Sequence, residues 1–403
     1  MSQYFIARQP IFDRNLKLFA YELLFRNSPQ NSAPQSFCEE NATAEVLTTS
    51  SDIGLDGLVG TQKAFINLPL RFFQEPDLLL LPPDRVVLEV LENVDVTDIV
   101  GKGVKTLYDR GFTLALDDVV DIDPYVSILP HISIVKLEIP ALPRDKWGAT
   151  ISRLRRQGFK VLAEKVETND EFEELSALGC EYFQGYFFAK PNLVSGRRLT
   201  ASKLGLMQLM VKINDPEIDI ETLSELVSRD VTLSLRVLNH VNSAASALNR
   251  RVESVREGVV YLGREAIRNI VTLLTMSSMD DHPVELVAMA LRRGRFCELY
   301  ARECDFEDHA SYFTVGLFSV LDALMDAPME EVVEKFALSS EMRGALVLHD
   351  GPKGLSLRVA QALERADFSQ LPEDLSLSGE ILATLHQDAT LWSDQIVAES
   401  AVD

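Results

Sequence analysis

The sequence predicts an α/β fold, a TIM-like βα barrel, followed by an all-helical domain. Three observations support this prediction. In the first half of the chain, short apolar runs alternate with amphipathic helical patterns. From about residue 200 this alternation stops and only helical periodicity remains. The length of 403 residues also exceeds the usual size of one domain.

The first predicted domain, residues 1–195, contains seven strand-like runs rich in β-branched and aromatic residues. Such runs, separated by helical stretches, are typical of a parallel sheet built from βα units. One intervening helix opens with a capping box from Thr168 to Glu171 and closes on Gly179, and another stops at Gly158. So many strands in so short a segment favour a closed barrel over an open sheet. The runs are LFAYELLF, AFINL, RVVLEVLE, FTLALDD, ISIVKLEI, KVLAEKV and YFQGYFF.

The second predicted domain, residues 196–403, is helical, with a core at about 200–370 and a helical C-terminal tail. One of its helices begins at a capping box from Ser254 to Glu257. Further helices are predicted around 284–303, 311–325 and 355–365. The boundary is predicted within KPNLVSGRRLTAS, residues 190–202, because Pro, Gly, Ser and charged residues cluster where the period changes.

Charge and composition exclude several classes of function. The formal net charge of −22 argues against binding to a nucleic acid polymer or to an anionic membrane, both of which need a basic surface. No apolar run approaches the roughly 20 residues that span a bilayer, so no membrane insertion is expected. The N-terminus lacks a secretory pattern. The four cysteines have no C-x-x-C spacing and are expected to be reduced thiols in the cytoplasm.

Polar side chains lie at or near the C-terminal ends of the strand-like runs. In a parallel barrel these ends converge on one rim, where active sites are built. Carboxylates with one Asn and no Cys or His suit hard-oxygen ligation of Mg²⁺ or Mn²⁺, and a pair of such ions can clamp the oxygens of a phosphoryl transfer. The alternative is that acids end strands because solvent begins there, but several lie within apolar runs, where an unpaired charge is costly. The set is Glu22, Asn67, Glu89 with Glu92, Asp117 with Asp118, Lys136, Glu164 and Gln184.

At these residues the first half of the chain resembles the EAL-domain phosphodiesterases, which cleave cyclic di-GMP to the linear dinucleotide. YELLFR stands where that family has its E-A-L-L-R signature. The segments FINL, LEVLENV, ALDDVV, VKLEI, AEKVET and QGYFFAKP follow in the family's order. The resemblance implies a barrel that binds the dinucleotide across its C-terminal rim.

The resemblance also implies a role for each polar residue. The implied metal ligands are Glu22, Asn67, Glu89, Asp117 and Asp118. Lys136 would lie near the nucleophilic water, and Glu164 would be the general base. Gln184 would support the water and metal shell, Arg26 would contact a ligand phosphate, and Glu92 would steady the loop after the aspartates. A carboxylate base and a cation near the developing charge are what hydrolysis needs.

Two positions depart from the family pattern. The family follows its adjacent aspartates with Phe-Gly-(Thr/Ser)-Gly, whereas this chain has VVDIDP at 119–124. Valines are stiff where glycines permit positive φ, so the loop must take another path. Asp121 and Asp123 are expected to solvate that loop. Lys165 replaces a Gly next to Glu164, and its charge would favour the Glu164 anion only if the side chain points inward.

The second half resembles the HDOD domain, a helical module related to HD-type phosphohydrolases that lacks their metal-binding His-Asp pair. RDVTLSLRVLNHVNSA and SVREGVVYLGREAIRNI carry the resemblance. Ser319 and Val320 stand at the His-Asp positions, so this half is expected to be non-catalytic and to bind an unknown signalling protein. His349-Asp350 is a separate His-Asp dipeptide next to a Gly-Pro loop signal, and a metal site is not expected there.

Three functions follow from these observations. The favoured one is a cyclic di-GMP signalling regulator whose barrel binds metal or cyclic di-GMP with weak or absent hydrolysis. The first alternative is an active Mg²⁺- or Mn²⁺-dependent phosphodiesterase that forms linear pGpG. The second is a scaffold that binds neither. Members of the resembling family dimerise through the rim, so a homodimer is also expected, with a contact changed by the altered loop.

Overall fold

The computed structural model describes residues 5–26, 55–91, 94, 96–117, 122–189, 209–215, 218–228, 283–334, 338–365, 371–372 and 375–400, together with isolated positions between 237 and 272. The chain divides into two compact units. The first comprises Met1–Lys190 and Ala362–Pro372, and the second comprises Pro191–Gln361 and Glu373–Asp403. The predicted boundary segment 190–202 lies outside the described residues.

The first unit contains a closed barrel of eight strands that follow one another in sequence order. The predicted α/β barrel is therefore confirmed. The strands are β1 (Phe5–Asp13), β2 (Leu18–Arg26), β3 (Lys63–Asn67), β4 (Val86–Val90), β5 (Thr113–Leu116), β6 (Ile134–Glu138), β7 (Lys160–Glu164) and β8 (Tyr182–Gln184).

Strand β1 is the element that the sequence analysis did not predict. It pairs antiparallel with β2 and with β8, whereas all the later neighbours are parallel. Arg8, Gln9 and Pro10 interrupt its apolar pattern, and Pro is disfavoured inside strands because it lacks an N–H group. The pairing of β1 with β8 begins only at Ile11, so Pro10 lies outside that ladder.

Five described helices belong to the barrel: α1 (Leu55–Val59), α2 (Leu70–Gln74), α3 (Asp98–Asp109), α4 (Trp147–Arg156) and α5 (Asn169–Leu178). The predicted capping box of α5 is present, with Glu171 N donating to Thr168 Oγ1 at 3.2 Å and Thr168 N donating to Glu171 Oε2 at 3.1 Å. The helix ends at Gly179, whose φ of 109° is left-handed, as predicted.

Two layers of side chains fill the barrel interior. The lower layer is apolar, and each strand supplies one residue to it: Ile11, Ala20, Phe65, Val87, Ala115, Ile134, Leu162 and Tyr182. Because side chains alternate along a strand, the residue two positions nearer the rim faces inward as well. The rim layer is therefore fixed by the same alternation that fixes the core.

The second unit is helical among its described residues, as predicted. Its helices are α6 (Ile220–Ser228), α7 (Val284–Glu303), α8 (His309–Phe318), α9 (Leu321–Met325), α10 (Met329–Glu334), α11 (Ser340–Val347), α12 (Gly351–Arg365, whose last four residues belong to the first unit) and α13 (Gly379–Ser400). Helix α7 has the predicted bounds, whereas the predicted helix at 311–325 is two helices. Helix α12 begins at Gly351 and includes Pro352, because Pro is tolerated in a first helical turn. The Gly-Pro pair therefore opens a helix and does not extend a loop.

The backbone of Gly185, directly after β8, lies very close to the backbone of Val166, which follows β7. Its φ is 146°, and a Cβ atom at this position would lie 2.0 Å from the carbonyl oxygen of Val166. The backbone of Val166 donates to Gln184 O at 3.0 Å and accepts from Phe187 N at 3.2 Å, so it cannot easily withdraw. The backbone at the end of β8 therefore requires glycine.

We predict that Gly185→Ala destabilises the barrel by about 3 kcal/mol or more, because strain at a φ restricted to glycine and a clash with backbone combine. Gly158→Ala is the control, since Gly158 also has positive φ but open space around its Cβ direction. It should cost roughly 1–2 kcal/mol from the left-handed conformation alone. Denaturant unfolding would be followed by the fluorescence of Trp147, which lies in the barrel, in a Trp392→Phe background. Equal losses for the two variants would contradict the close-approach argument.

Candidate active site at the barrel rim

The rim layer of the barrel is polar, and every strand or strand end contributes to it. Its members are Gln9, Glu22, Asn67, Glu89, Asp117, Lys136, Glu164 and Gln184, each two positions from an apolar residue of the lower layer. Asp117 directly follows β5, where its N–H extends the ladder to Val90 O at 3.0 Å. Asn67 lies opposite Glu89 in the register of β3 with β4.

Lys136 is the centre of this layer. Its ammonium lies 2.5 Å from Glu89 Oε1, 2.7 Å from Asp117 Oδ1, 3.0 Å from Glu164 Oε1 and 3.6 Å from Glu22 Oε2. The Lys136 side chain is 1% exposed and that of Glu89 is fully buried. The structure thus brings together four of the predicted acids around the predicted lysine.

The charges of this cluster shift the pKa values of its members. Burial alone would lower the pKa of Lys136, but Glu164, Glu22, Glu89 and Asp117 together raise it well above its usual value. Burial raises the pKa of Glu89 well above its usual value, and the neighbouring carboxylates of Glu22 and Asp117 raise it further, while Lys136 opposes them. The positive charge of Lys136 partly offsets the repulsion among the acids.

Gln184 and Gln9 extend the site across the seam, the place where β1 pairs with β8 and closes the barrel. Gln184 Nε2 donates to Glu22 Oε2 at 2.6 Å and to Gln9 Oε1 at 2.9 Å. Gln9 was missed by the sequence analysis because β1 was missed. Once β1 is known to run antiparallel to β2, the two-residue alternation from Ile11 identifies Gln9 as a rim residue.

The rim offers carboxylate and amide oxygens, the ligand type that hard divalent cations prefer. Asn67 Oδ1, Glu89 Oε2 and Gln184 Oε1 are buried and accept no hydrogen bond from any described residue. Buried acceptors of this kind need a proton donor, a water or an ion. Within the part of the chain that the structure describes, no group of three or more acidic, His or Cys side chains has metal-binding geometry, and Lys136 lies among the acids.

Several predicted site residues are not described by the structure, in whole or in part. Asp118, Glu92 and the altered loop at 118–121 are not among the described residues. Arg26 ends β2 at the rim, but only its backbone is described. Asp123 is exposed at the start of a 3₁₀ turn, Asp123–Tyr125.

Lys165 points away from the site. Its ammonium pairs with Glu138 Oε1 at 2.9 Å, and its side chain is 58% exposed. Its φ is 55°, the left-handed region that glycine adopts without strain. Position 165 therefore has a backbone conformation that suits glycine, and the Lys165 ammonium is directed to Glu138.

In the second unit, a serine and a valine stand at the positions where the resemblance to HD-type phosphohydrolases would place a His-Asp pair. Ser319 and Val320 lie between α8 and α9, and Ser319 Oγ accepts from Arg293 Nη1 at 3.2 Å. Burial raises the pKa of the nearby Asp322, and Arg293 opposes this shift. His349 and Asp350 form the short connection between α11 and α12, with a left-handed φ of 56° at His349.

Comparisons with known proteins identify both halves. An EAL domain model matches residues 141–191 and an HDOD domain model matches residues 204–343. The chain is 34% identical over 400 residues to cyclic di-GMP phosphodiesterase CdgJ of Vibrio cholerae. The alignment covers 97% of this chain and 93% of that protein. The chain is 29% identical over 380 residues to the uncharacterized protein YuxH of Bacillus subtilis, with 92% of each chain covered. The chain therefore belongs to the family of EAL proteins that also carry an HDOD domain.

Solved EAL structures align with about half of the chain. A standalone EAL protein of Vibrio cholerae in its c-di-GMP bound form is 24% identical, with a TM-score of 0.36, over 47% of this chain and 93% of that chain. BlrP1 of Klebsiella pneumoniae, in a complex with calcium and cyclic di-GMP, is 26% identical, with a TM-score of 0.38, over 47% of this chain and 56% of that chain.

Across the described residues, no helix is both long and apolar enough to cross a membrane.

We predict that Lys136→Met destabilises the metal-free protein by about 3–5 kcal/mol, because breaking a buried ion-pair cluster leaves its carboxylates uncompensated. Added Mn²⁺ should raise the unfolding temperature of this variant more than that of the wild type. The control is Lys105→Met, which removes an exposed pair with Asp109 and should change stability by at most about 1 kcal/mol. A Lys136→Met protein as stable as wild type without metal would contradict this account.

For Lys165 we predict that replacement by Gly gives a barrel about 1 kcal/mol more stable than replacement by Ala. Both substitutions remove the pair with Glu138, but only Gly relieves the left-handed strain. The Trp147 unfolding signal measures the difference. An Ala variant that matches or exceeds the Gly variant would show that the backbone at position 165 is not strained.

Proposed function

We propose that this protein binds cyclic di-GMP across the C-terminal rim of the barrel and hydrolyses it to linear pGpG with the help of Mg²⁺ or Mn²⁺. The observation that carries the proposal is the rim layer itself, with Glu22, Glu89, Asp117 and Glu164 around one buried lysine. A full-length relative named as a cyclic di-GMP phosphodiesterase supports the same reaction.

The chain's own groups suit a hydrolysis at a phosphodiester. Glu164 lies on β7 beside Lys136, where a carboxylate can accept the proton of an attacking water. Lys136 supplies a fixed positive charge near the oxygens on which negative charge develops. Gln184 Oε1, a buried acceptor at the same level, can hold a water hydrogen. Arg26, at the rim end of β2, is the proposed contact for a ligand phosphate.

The residues proposed to hold the metal are Glu22, Asn67, Glu89, Asp117 and Asp118. When bound, a divalent cation would lower the pKa of a water and polarise the phosphoryl oxygen. The buried, unsatisfied oxygens of Asn67 and Glu89 are consistent with this role.

The test is a calorimetric titration with cyclic di-GMP and Mn²⁺, followed by chromatography of the products. We expect turnover of roughly 1 s⁻¹ or more. Glu164→Gln should lower kcat by about 10²-fold or more, as expected for a general base. The matched control is Glu138→Gln on the neighbouring strand, in register with Glu164. It should change turnover by at most about fivefold, because Glu138 is partly exposed and its partner Lys165 is a surface residue, and such ion pairs contribute no more than about 1 kcal/mol. Turnover that survives Glu164→Gln would exclude this residue as the base.

A second candidate function is a regulator that binds cyclic di-GMP with weak or absent hydrolysis. The sequence VVDIDP supports it, because it lacks the glycines found after the aspartates in the resembling family. Binding that is lost in Arg26→Ala, without any product, would favour this function over the enzyme. Absence of any heat signal, with and without Mn²⁺, would leave a scaffold that binds neither metal nor nucleotide.

We further propose that the helical unit is non-catalytic and docks another signalling protein in the cytoplasm. Ser319 and Val320 cannot replace a His-Asp metal pair, and Ser319 Oγ already accepts from Arg293. A homodimer is proposed as well, and light scattering with and without cyclic di-GMP tests it.

A further inference from the structure

Gln9 shares the rim layer with the predicted catalytic residues, although nothing in the sequence motifs points to it. In the antiparallel ladder of β1 with β2 it lies opposite Glu22. On the other side of β1, Ile11 lies opposite Gln184. Gln9 is therefore placed at the seam where the first and last strands close the barrel.

The hydrogen bonds at this seam fix the orientation of the Gln184 amide. Glu22 Oε2 lies 2.6 Å from one end of that amide and 3.6 Å from the ammonium of Lys136. An oxygen that faces a cation is a hydrogen-bond acceptor, so the amide end beside it must be the Nε2 donor. The second N–H of Nε2 is then directed to an acceptor on Gln9, whose Oε1 lies 2.9 Å away.

This arrangement determines which atom Gln184 presents to the site. With both N–H groups of Nε2 engaged, the carbonyl Oε1 is turned away from Glu22 and Gln9. That oxygen is buried and accepts no hydrogen bond from the described residues. If the amide were flipped, an N–H group would face the rim acids and the proposed cation, and the acceptor would be lost.

We propose that Gln9 is a positioning residue that locks the Gln184 amide with its oxygen toward the reaction site. It acts through Gln184 and touches neither metal nor substrate in this account. The proposal deepens the proposed function, because the oxygen of Gln184 then serves as an acceptor for the attacking water or for a water of the metal shell.

Two substitutions distinguish a positioning role of Gln9 from a purely space-filling one. Gln9→Glu keeps an acceptor at the same distance along the side chain, whereas Gln9→Met fills similar space without one. If Gln9 acts as an acceptor, Gln9→Glu retains the lock and Gln9→Met loses it. If Gln9 only fills space, the order is reversed, because Gln9→Glu adds a charge beside Glu22.

The first measurement does not depend on metal or substrate. Spectra of protein labelled with ¹⁵N in glutamine side chains would be recorded, with the Gln184 signal assigned by Gln184→Met. We expect both Gln184 amide protons to exchange slowly with solvent in the wild type and in Gln9→Glu. In Gln9→Met one of them should exchange faster. Unchanged Gln184 exchange in Gln9→Met would overturn the proposal even if the protein proves to be an active enzyme.

The second measurement is calorimetry with Mn²⁺ alone. Gln9→Met should weaken Mn²⁺ binding by about 10-fold, the usual effect of removing a group that orients a neighbour of a metal site. Gln9→Glu should bind Mn²⁺ at least as tightly as wild type. A Gln9→Met protein that binds Mn²⁺ like wild type would argue against the proposal. Failure of the wild type to bind Mn²⁺ would instead refute the proposed function, and the exchange measurement would still decide the role of Gln9.

Discussion

The ion-pair cluster around Lys136 is the interaction on which the rest of the barrel rim depends. Closing the barrel brings Glu22, Glu89, Asp117 and Glu164 toward one buried point, where like charges in a region of low dielectric repel strongly. One ammonium, held at the same level by β6, offsets part of that repulsion without a metal. The same charge that lets the barrel close is the charge a phosphodiester reaction can use. Stability and the proposed activity therefore depend on one side chain, whose loss should affect both.

Much of this arrangement could be predicted because strands impose a strict two-residue period. Residues at the ends of predicted strands, such as Glu89 and Glu164, were assigned to the rim from their position in apolar runs, and the structure brings them together. Gln9 was not predicted, because Pro10 and the polar residues beside it interrupt the apolar pattern of β1. In addition, β1 is antiparallel to β2, so its rim residue precedes the apolar residue of the lower layer in sequence. Its two-residue offset from Ile11 becomes visible only when the pairing of β1 is known.

Other features depended on conformation that residue types do not encode. The sequence showed that Lys165 replaces a glycine, but its direction relative to Glu164 followed only from the left-handed backbone and the pair with Glu138. In the helical unit, the apolar period through 311–325 is continuous, yet the chain breaks at Ser319 and Val320 into α8 and α9. Tertiary packing, including the hydrogen bond from Arg293 to Ser319, competes there with local helical preference.

The seam between β1 and β8 has a consequence for the order of events during synthesis. The hydrogen bond between Gln9 and Gln184 joins residues 175 positions apart. Contacts so distant in sequence form late, after the entropy of closing the intervening loop has been overcome. A nascent chain that has not yet released β8 from the ribosome holds its acids on separate, unclosed strands. Premature termination before Gln184 would therefore produce a chain with most of the rim residues and no closed rim.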